Sequence, residues 1–300
     1  MDRCSRKALT RMAVATFPAR SHTALTAAMK SFLTRAAAKL AANRIAQRCL
    51  QDGVRTADYL MGIGTGCDVN TSGEASVLRR LRRADHRGEL VIFDAGSNRG
   101  QFLRMCVELL PLHACDIHCF EPSKASYSVL CDVAGSVQGV TLNNFGLGKE
   151  VRDRPIFADT SGSGLASLTK RRLDHFNIDF SFSELVHIET LDGYCSQRNI
   201  DRIDLLKLDV EGHELDVLAG AAEMLQKNAI RNVTFEFGGC NIDTRTFVQD
   251  FYYLFSSRGM RIARITPGGY WAEIARYSEI YEQFRTTNFV AYSPSSALRR

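Results

Sequence analysis

Three apolar runs in this chain of 300 residues end directly in acidic side chains, and each junction carries residue types suited to ligand chemistry. The first is Val91-Ile-Phe-Asp-Ala-Gly-Ser-Asn-Arg-Gly100, a strand that ends in Asp94 and enters a turn holding Gly96, Asn98 and Gly100. In an open α/β sheet ligands bind where strands deliver their carboxyl ends, and glycines there let backbone N–H groups approach them. The second is Asp116-Ile-His-Cys-Phe120, closing in Glu121, 25 positions after Gly96. An acid at that place accepts the hydroxyls of a ribose; its bland alternative is a helix-start acid favoured by the dipole. The third is Ile203-Asp-Leu-Leu-Lys-Leu-Asp-Val-Glu-Gly-His-Glu214, where Asp209 ends the run, Gly212 permits a tight turn and Glu214 opens a helix. That helix carries Leu215, Leu218, Ala221, Ala222 and Leu225 at helical spacing.

A following run, Val233-Thr-Phe-Glu-Phe237, brings Glu236 near the end of its own strand. Neighbouring strands lie about 4.8 Å apart, so Asp209 and Glu236 are expected on one side of one crevice. Paired carboxylates orient a hydroxyl nucleophile, take its proton or hold a divalent ion. Asp209 is the first choice for general base, with Glu236 and Glu211 as alternates. His213 is the one imidazole nearby, and its alternative is a solvent-facing helix residue. Lys207 alternates with Leu206 and Leu208 in a buried strand and needs a partner, for which Asp204 and Glu236 are the candidates.

The first turn discriminates between cofactors. A pyrophosphate site shows G-x-G-x-x-G, whereas Gly96 and Gly100 here bracket Asn98, and Asp94 repels an anion but welcomes an ammonium. S-adenosylmethionine, with a sulfonium, an α-ammonium and one carboxylate, suits that turn better than a diphosphate does. Asn143 and Asn144, ending the third strand, are placed to read its adenine edge. Taken together, Asp94-Ala-Gly-Ser-Asn-Arg-Gly100, Phe120-Glu-Pro122, Glu189-Thr-Leu-Asp192 and Leu206-Lys-Leu-Asp-Val-Glu-Gly-His-Glu-Leu-Asp-Val-Leu-Ala-Gly220 resemble the FkbM family of S-adenosylmethionine-dependent methyltransferases, over about residues 88–240. The resemblance implies a class I methyltransferase fold and methyl transfer to a hydroxyl of a sugar, glycolipid or secondary metabolite. It also implies that Asp94, Gly96, Asn98, Gly100 and Glu121 line the cofactor; a catalytic role for His213 is not carried over. Two other classes compete. A nucleotide-dependent oxidoreductase of Rossmann type would share Glu121 and the turn, but the third glycine is missing. A noncatalytic cofactor-binding module would lose the polar cluster from Lys207 to Glu214, which is intact.

The elements that must position these residues alternate strand and helix, so the expected fold is α/β: a mostly parallel seven-stranded sheet with helices on both faces. Strands are expected near 90–94, 116–120, 138–143, 203–208, 231–237 and 260–265, with an antiparallel last strand over 288–292. Helices are expected near 99–110, 123–134 and 243–257, and a β-rich insertion over 145–190. In that insertion Ser161-Gly-Ser-Gly-Leu-Ala-Ser167 reads either as a loop over the substrate or as a plain hairpin turn. The domain reading is a basic N-terminal extension over 1–54, a cap segment over 55–87 and a catalytic domain over 88–295. The cap segment's glycines at 62, 64 and 66 lack the Lys-Ser or Lys-Thr of a phosphate loop.

Composition sets outer bounds. A chain 45% hydrophobic and 24% charged folds, and no apolar run is long enough to span a bilayer. Nine cysteines without a C-x-x-C pair read as reduced thiols, Cys115 and Cys119 among them, which points to a cytoplasmic setting. The first fifty residues hold ten Lys or Arg against Asp2, while the whole chain is only +5. Leu25, Met29, Phe32, Leu33, Ala36, Ala37 and Leu40 recur there at helical spacing among Lys30, Arg35 and Lys39. Such a basic amphipathic helix makes a peripheral membrane contact, targets an organelle or packs on the catalytic domain. One aromatic between positions 20 and 50 is too few for nucleic-acid stacking. The expected partner is a small-molecule or carbohydrate acceptor; the sequence leaves metal dependence undecided.

Overall fold

Strands whose two faces are both buried form the spine of the molecule. In β1 (Leu90–Ala95), Phe93 and Ala95 feed one apolar core while Leu90 and Ile92 feed another. That is the pattern of a parallel sheet covered by helices on each side. The computed structural model describes residues 34–66, 72–84, 88–135 and 137–294, and the chain divides between Arg55 and Thr56 into two units. Residues 25–33 of the basic segment and 67–71 of the glycine-rich connection lie outside the described residues. In the first unit residues 34–40 are helical, and the helix Arg44–Met61 begins.

In the second unit β1 is followed by β2 (Cys115–Phe120), β3 (Val140–Asn143), β4 (Gly146–Leu147), β5 (Arg152–Ala158), β6 (Phe182–Glu189), β7 (Leu205–Leu208), β8 (Asn232–Phe237), β9 (Arg261–Ile265), β10 (Trp271–Glu273) and β11 (Thr287–Tyr292). Eight of them make one sheet in the order β10-β9-β11-β8-β7-β1-β2-β3. The pairs joining β3, β2, β1, β7 and β8 are parallel, and β11 runs antiparallel between β8 and β9. The α/β sheet and its antiparallel last strand are those expected. The expected count of seven was one short, because β10 folds back on β9 through the turn at Thr266–Tyr270. Three residues are too few to show an alternation in sequence.

Residues 145–190 supply a second sheet, β4-β6-β5. Two expected helices are each broken in two. Residues 243–257 divide into Cys240–Thr244 and Val248–Ser256 around Arg245, whose φ is +60°. The helix opening at Glu214 stops at Ala219 and restarts over Ala222–Gln226. The backbone N–H of Asp192 captures the Gly220 carbonyl at 2.9 Å, and the Asp192 carboxylate accepts from the N–H groups of Glu223 and Met224 at 2.8 and 3.0 Å. Thr190, two residues earlier, caps the helix Leu191–Arg198. The Glu189-Thr-Leu-Asp192 motif is therefore a helix-capping device. Among the described residues no helix is long and apolar enough to cross a membrane, and the cysteines are free thiols.

Candidate active site

Parallel pairing of β1 with β7 and of β7 with β8 brings the acidic strand ends together. Leu208 faces Phe235 across the pair, so the next residues along, Asp209 and Glu236, lie side by side as expected. Both line a cavity of about 760 Å³ together with Glu74, Lys207, Glu211 and Arg171. A second, narrower cavity of about 60 Å³ lies between Pro122, Leu147, Ile156 and Ile188, with Glu121 and His213 in its wall. Gly96, Asn98, Gly164, Asp209 and Glu211 line both, so the two meet at the end of β1.

Gly96 is at φ +82°, and a Cβ there would overlap the Asp209 carbonyl oxygen, so only glycine lets β1 and β7 close on each other at this point. Gly100 serves packing: a Cβ would press on Val133 and Leu130 at about 3 Å, and the residue lines neither cavity. Asn98, at φ +47°, donates its N–H to Glu121 Oε2 at 2.8 Å and accepts from the Ser126 hydroxyl at 3.1 Å. Glu121 Oε1 accepts from the Ser123 N–H at 2.8 Å. With one backbone donor on each oxygen, the carboxylate is fixed, and each oxygen keeps a lone pair for a ligand hydroxyl. Asn143 donates to the Cys119 carbonyl at 3.1 Å and to Tyr194 Oη, while Asn144 donates to the Glu121 carbonyl at 2.9 Å. Neither asparagine lines a cavity; both brace the Glu121 turn.

Asp94 is 0% exposed, and neither carboxylate oxygen has a hydrogen-bond partner. Its neighbour is Lys207 Nζ at 3.5 Å, which also donates to Asp209 Oδ2 at 3.1 Å. The partners expected for Lys207, Asp204 and Glu236, are thus corrected to Asp94 and Asp209. Asp204 is turned away from it and holds Arg202 and Arg231 at 3.1 and 3.0 Å. Burial alone would lower the Lys207 pKa, but Asp209, Asp94 and Glu74 together hold it raised. Burial pushes the Asp94 carboxyl up, against the pull of Lys207.

The carboxyls of the larger cavity differ in environment. The Asp209 side chain is 40% exposed and held by Lys207. Glu211 pairs with Arg171 at 2.7 Å. Glu236 is pushed well up by burial first, and then by the charges of Asp209, Glu211, Glu214 and Glu74. Glu214 accepts the N–H groups of Val210 and Gly212 at 3.2 and 3.1 Å and so braces the turn before its own helix. His213 shares Nδ1 with Asp216 at 2.8 Å and Nε2 with the Thr169 hydroxyl at 3.0 Å. Both ring nitrogens are engaged, and the ring is buried in the wall of the narrow cavity, not facing solvent. Among the described residues no three His, Cys, Asp or Glu side chains are placed to hold a metal ion.

Two participants, Glu74 and Arg171, lacked a sequence signal of their own. Glu74 reads as an ordinary helix-start acid, yet it is buried in the larger cavity with the Ser72 hydroxyl donating to Oε2 at 3.1 Å. Arg171 sits in the basic run Lys170-Arg-Arg172, and Ser167 anchors its segment by donating to the Glu211 carbonyl at 2.8 Å. Gly164 of the same segment lies where the cavities meet, and the Gly162 carbonyl accepts from Arg99 at 2.9 Å.

Burial pushes the Glu121 carboxyl up to about 7 from an ordinary 4.5, against its two N–H donors. The native state then holds a proton that the unfolded chain releases, so this group's contribution to stability is full below pH 4.5 and is lost as pH rises to about 7. Across that range the melting temperature of the wild-type protein is expected to fall relative to that of Glu121→Gln as pH rises, because the variant lacks this slope. Parallel curves would contradict the assignment.

Residues 94–262 match the model of the methyltransferase FkbM domain family. The 2-O-methyltransferase NoeI of Sinorhizobium fredii is 28% identical over 147 residues, covering 46% of this chain and 59% of the relative. The chain therefore spans less than two thirds of that curated relative. A crystal structure of methyltransferase FkbM from Methylobacillus flagellatus superposes with a TM-score of 0.42 at 15% identity, covering 72% of this chain and 47% of the other. A methyltransferase structure from Agrobacterium tumefaciens gives 0.41 at 8% identity, covering 77% and 64%.

Proposed function

The chain belongs to the FkbM methyltransferase family, and we propose that it transfers a methyl group from S-adenosylmethionine to a hydroxyl oxygen of a sugar, glycolipid or similar polyhydroxylated acceptor. One observation carries the reading: a narrow apolar slot and a wide polar cavity join at Gly96 and Asp209. The slot suits an adenosyl group, flat against Pro122, Leu147 and Ile188, with Glu121 accepting ribose hydroxyls. The wide cavity, with its carboxyls and arginine, suits a hydroxyl-rich acceptor. The Sinorhizobium relative is a 2-O-methyltransferase, which supports oxygen as the acceptor atom.

The chain's residues fit the cofactor. Glu121 has lone pairs to offer and Gly96 removes the side chain where the backbone must come close, whereas Asp94, expected to line the cofactor, is fully buried against Lys207 and lines neither cavity. When bound, S-adenosylmethionine supplies an electrophilic methyl group, so no side chain has to activate the donor. The protein's work is to exclude water, align the acceptor oxygen and take one proton. Asp209, open to the cavity and steered by Lys207, is the base at Oδ1 or Oδ2. Glu236, whose charged form is disfavoured by burial and by the neighbouring carboxylates, orients a neighbouring acceptor hydroxyl. Lys207 fixes the Asp209 carboxylate and neutralises Asp94 beneath it.

Titration calorimetry with S-adenosylmethionine and with NAD tests the donor assignment. Uptake of S-adenosylmethionine without uptake of NAD is expected; NAD uptake alone would return the site to oxidoreductase chemistry.

A further inference from the structure

The helix Arg44–Met61 divides its surface, with Thr56 on the apolar half and Tyr59 on the polar half as exceptions. At about 100° per residue, Ile45, Cys49, Leu50, Gly53, Val54, Ala57, Leu60 and Met61 share one half of its circumference, and Arg44, Gln47, Arg48, Gln51, Asp52, Arg55 and Asp58 share the other. Among the described residues the apolar half carries exposed side chains: Ile45 is 76% exposed, Leu50 53% and Val54 58%. Asp58, in the second unit, is the buried residue of the helix and lies on its polar half. An apolar arc of that width left in water asks for a covering surface.

Charge says which surface. The first 55 residues hold eleven Lys or Arg against Asp2 and Asp52, whereas the whole chain is only +5, so the remainder is net acidic. A second copy laid on the same arc would bring two strongly basic segments together and be repelled. An anionic lipid surface attracts them and accepts the apolar arc at the same time. Eighteen residues with seven polar side chains along one half cannot cross the bilayer, so the helix would lie in the interface.

We propose that the helix Arg44–Met61, with the basic segment before it, seats the protein on an anionic membrane surface. The proposal is independent of the donor assignment, because none of these residues lines either cavity.

Flotation of the full chain with vesicles of phosphatidylcholine, alone or with about 30% phosphatidylglycerol, tests it. Binding to the anionic vesicles, little to the neutral ones, and weakening as salt is raised are expected. The double variant Leu50→Asp, Val54→Asp is expected to bind at least roughly tenfold more weakly, as is Arg44→Glu, Arg48→Glu, with calorimetric donor binding unchanged in both. No binding to either vesicle, equal binding to both, or binding untouched by the two apolar substitutions would overturn the proposal. A dimer in sedimentation equilibrium that the Leu50, Val54 variant abolishes, with no vesicle binding, would assign the arc to a second copy instead.

Discussion

Replacing Lys207 with Met is expected to lower unfolding stability by about 3–5 kcal/mol, since it strands a buried carboxylate without its cation. Lys207 lies against Asp94 at 3.5 Å and Asp209 at 3.1 Å, and Asp94 has no hydrogen-bond donor to fall back on. For a domain of this size the loss corresponds to a fall in melting temperature on the order of 10 °C. Adding Asp94→Asn removes the stranded charge and is expected to return a large part of the loss. If Lys207→Met alone melts like the wild type, the ion pair is not what holds the ends of β1 and β7 together.

The second large effect is on turnover. Asp209→Asn keeps an oxygen to accept from Lys207 but removes the group that takes the acceptor's proton. The rate of tritium transfer from methyl-labelled donor to a soluble glycoside acceptor is expected to fall by roughly 10²–10⁴. Calorimetric affinity for the donor should stay near the wild-type value, because Glu121 and the apolar walls Pro122, Leu147 and Ile188 are untouched. Glu236→Gln should do far less to the rate, since burial and the carboxylates around it already disfavour its charged form. Should Glu236→Gln abolish transfer while Asp209→Asn is silent, the roles of the two strand ends are reversed.

Much of this architecture was legible in the residues, and the reasons are physical. The acids at strand ends, Asp94, Glu121, Asp209 and Glu236, stood out because polar side chains interrupting apolar runs at glycine-rich turns seldom serve packing. Parallel pairing of successive strands then brings Asp209 beside Glu236. What periodicity could not show were interactions made across the fold. Lys207 found Asp94 because β1 and β7 are neighbours in the sheet, although 113 residues separate them in the chain. Glu74 and Arg171 reach the cavity from a cap and an insertion, where charged residues are ordinary. The two broken helices kept helical spacing on both sides of their breaks, and the cause of one, the capture of the Gly220 carbonyl by Asp192, lies on a distant segment. Asn143 and Asn144 follow a strand end as expected, but their amides turn to the backbone carbonyls of Cys119 and Glu121, which spacing alone does not reveal.

The central claim is spatial: the donor's nucleoside occupies the apolar slot, and its reactive end reaches the junction of the two cavities. A crystal structure with S-adenosylhomocysteine tests it most directly. The account predicts ribose hydroxyls on Glu121, adenine between Pro122 and Ile188, and the sulfur at the Gly96 end facing Asp209. A nucleoside seated in the wide cavity, or a sulfur remote from both Asp209 and Glu236, would contradict it.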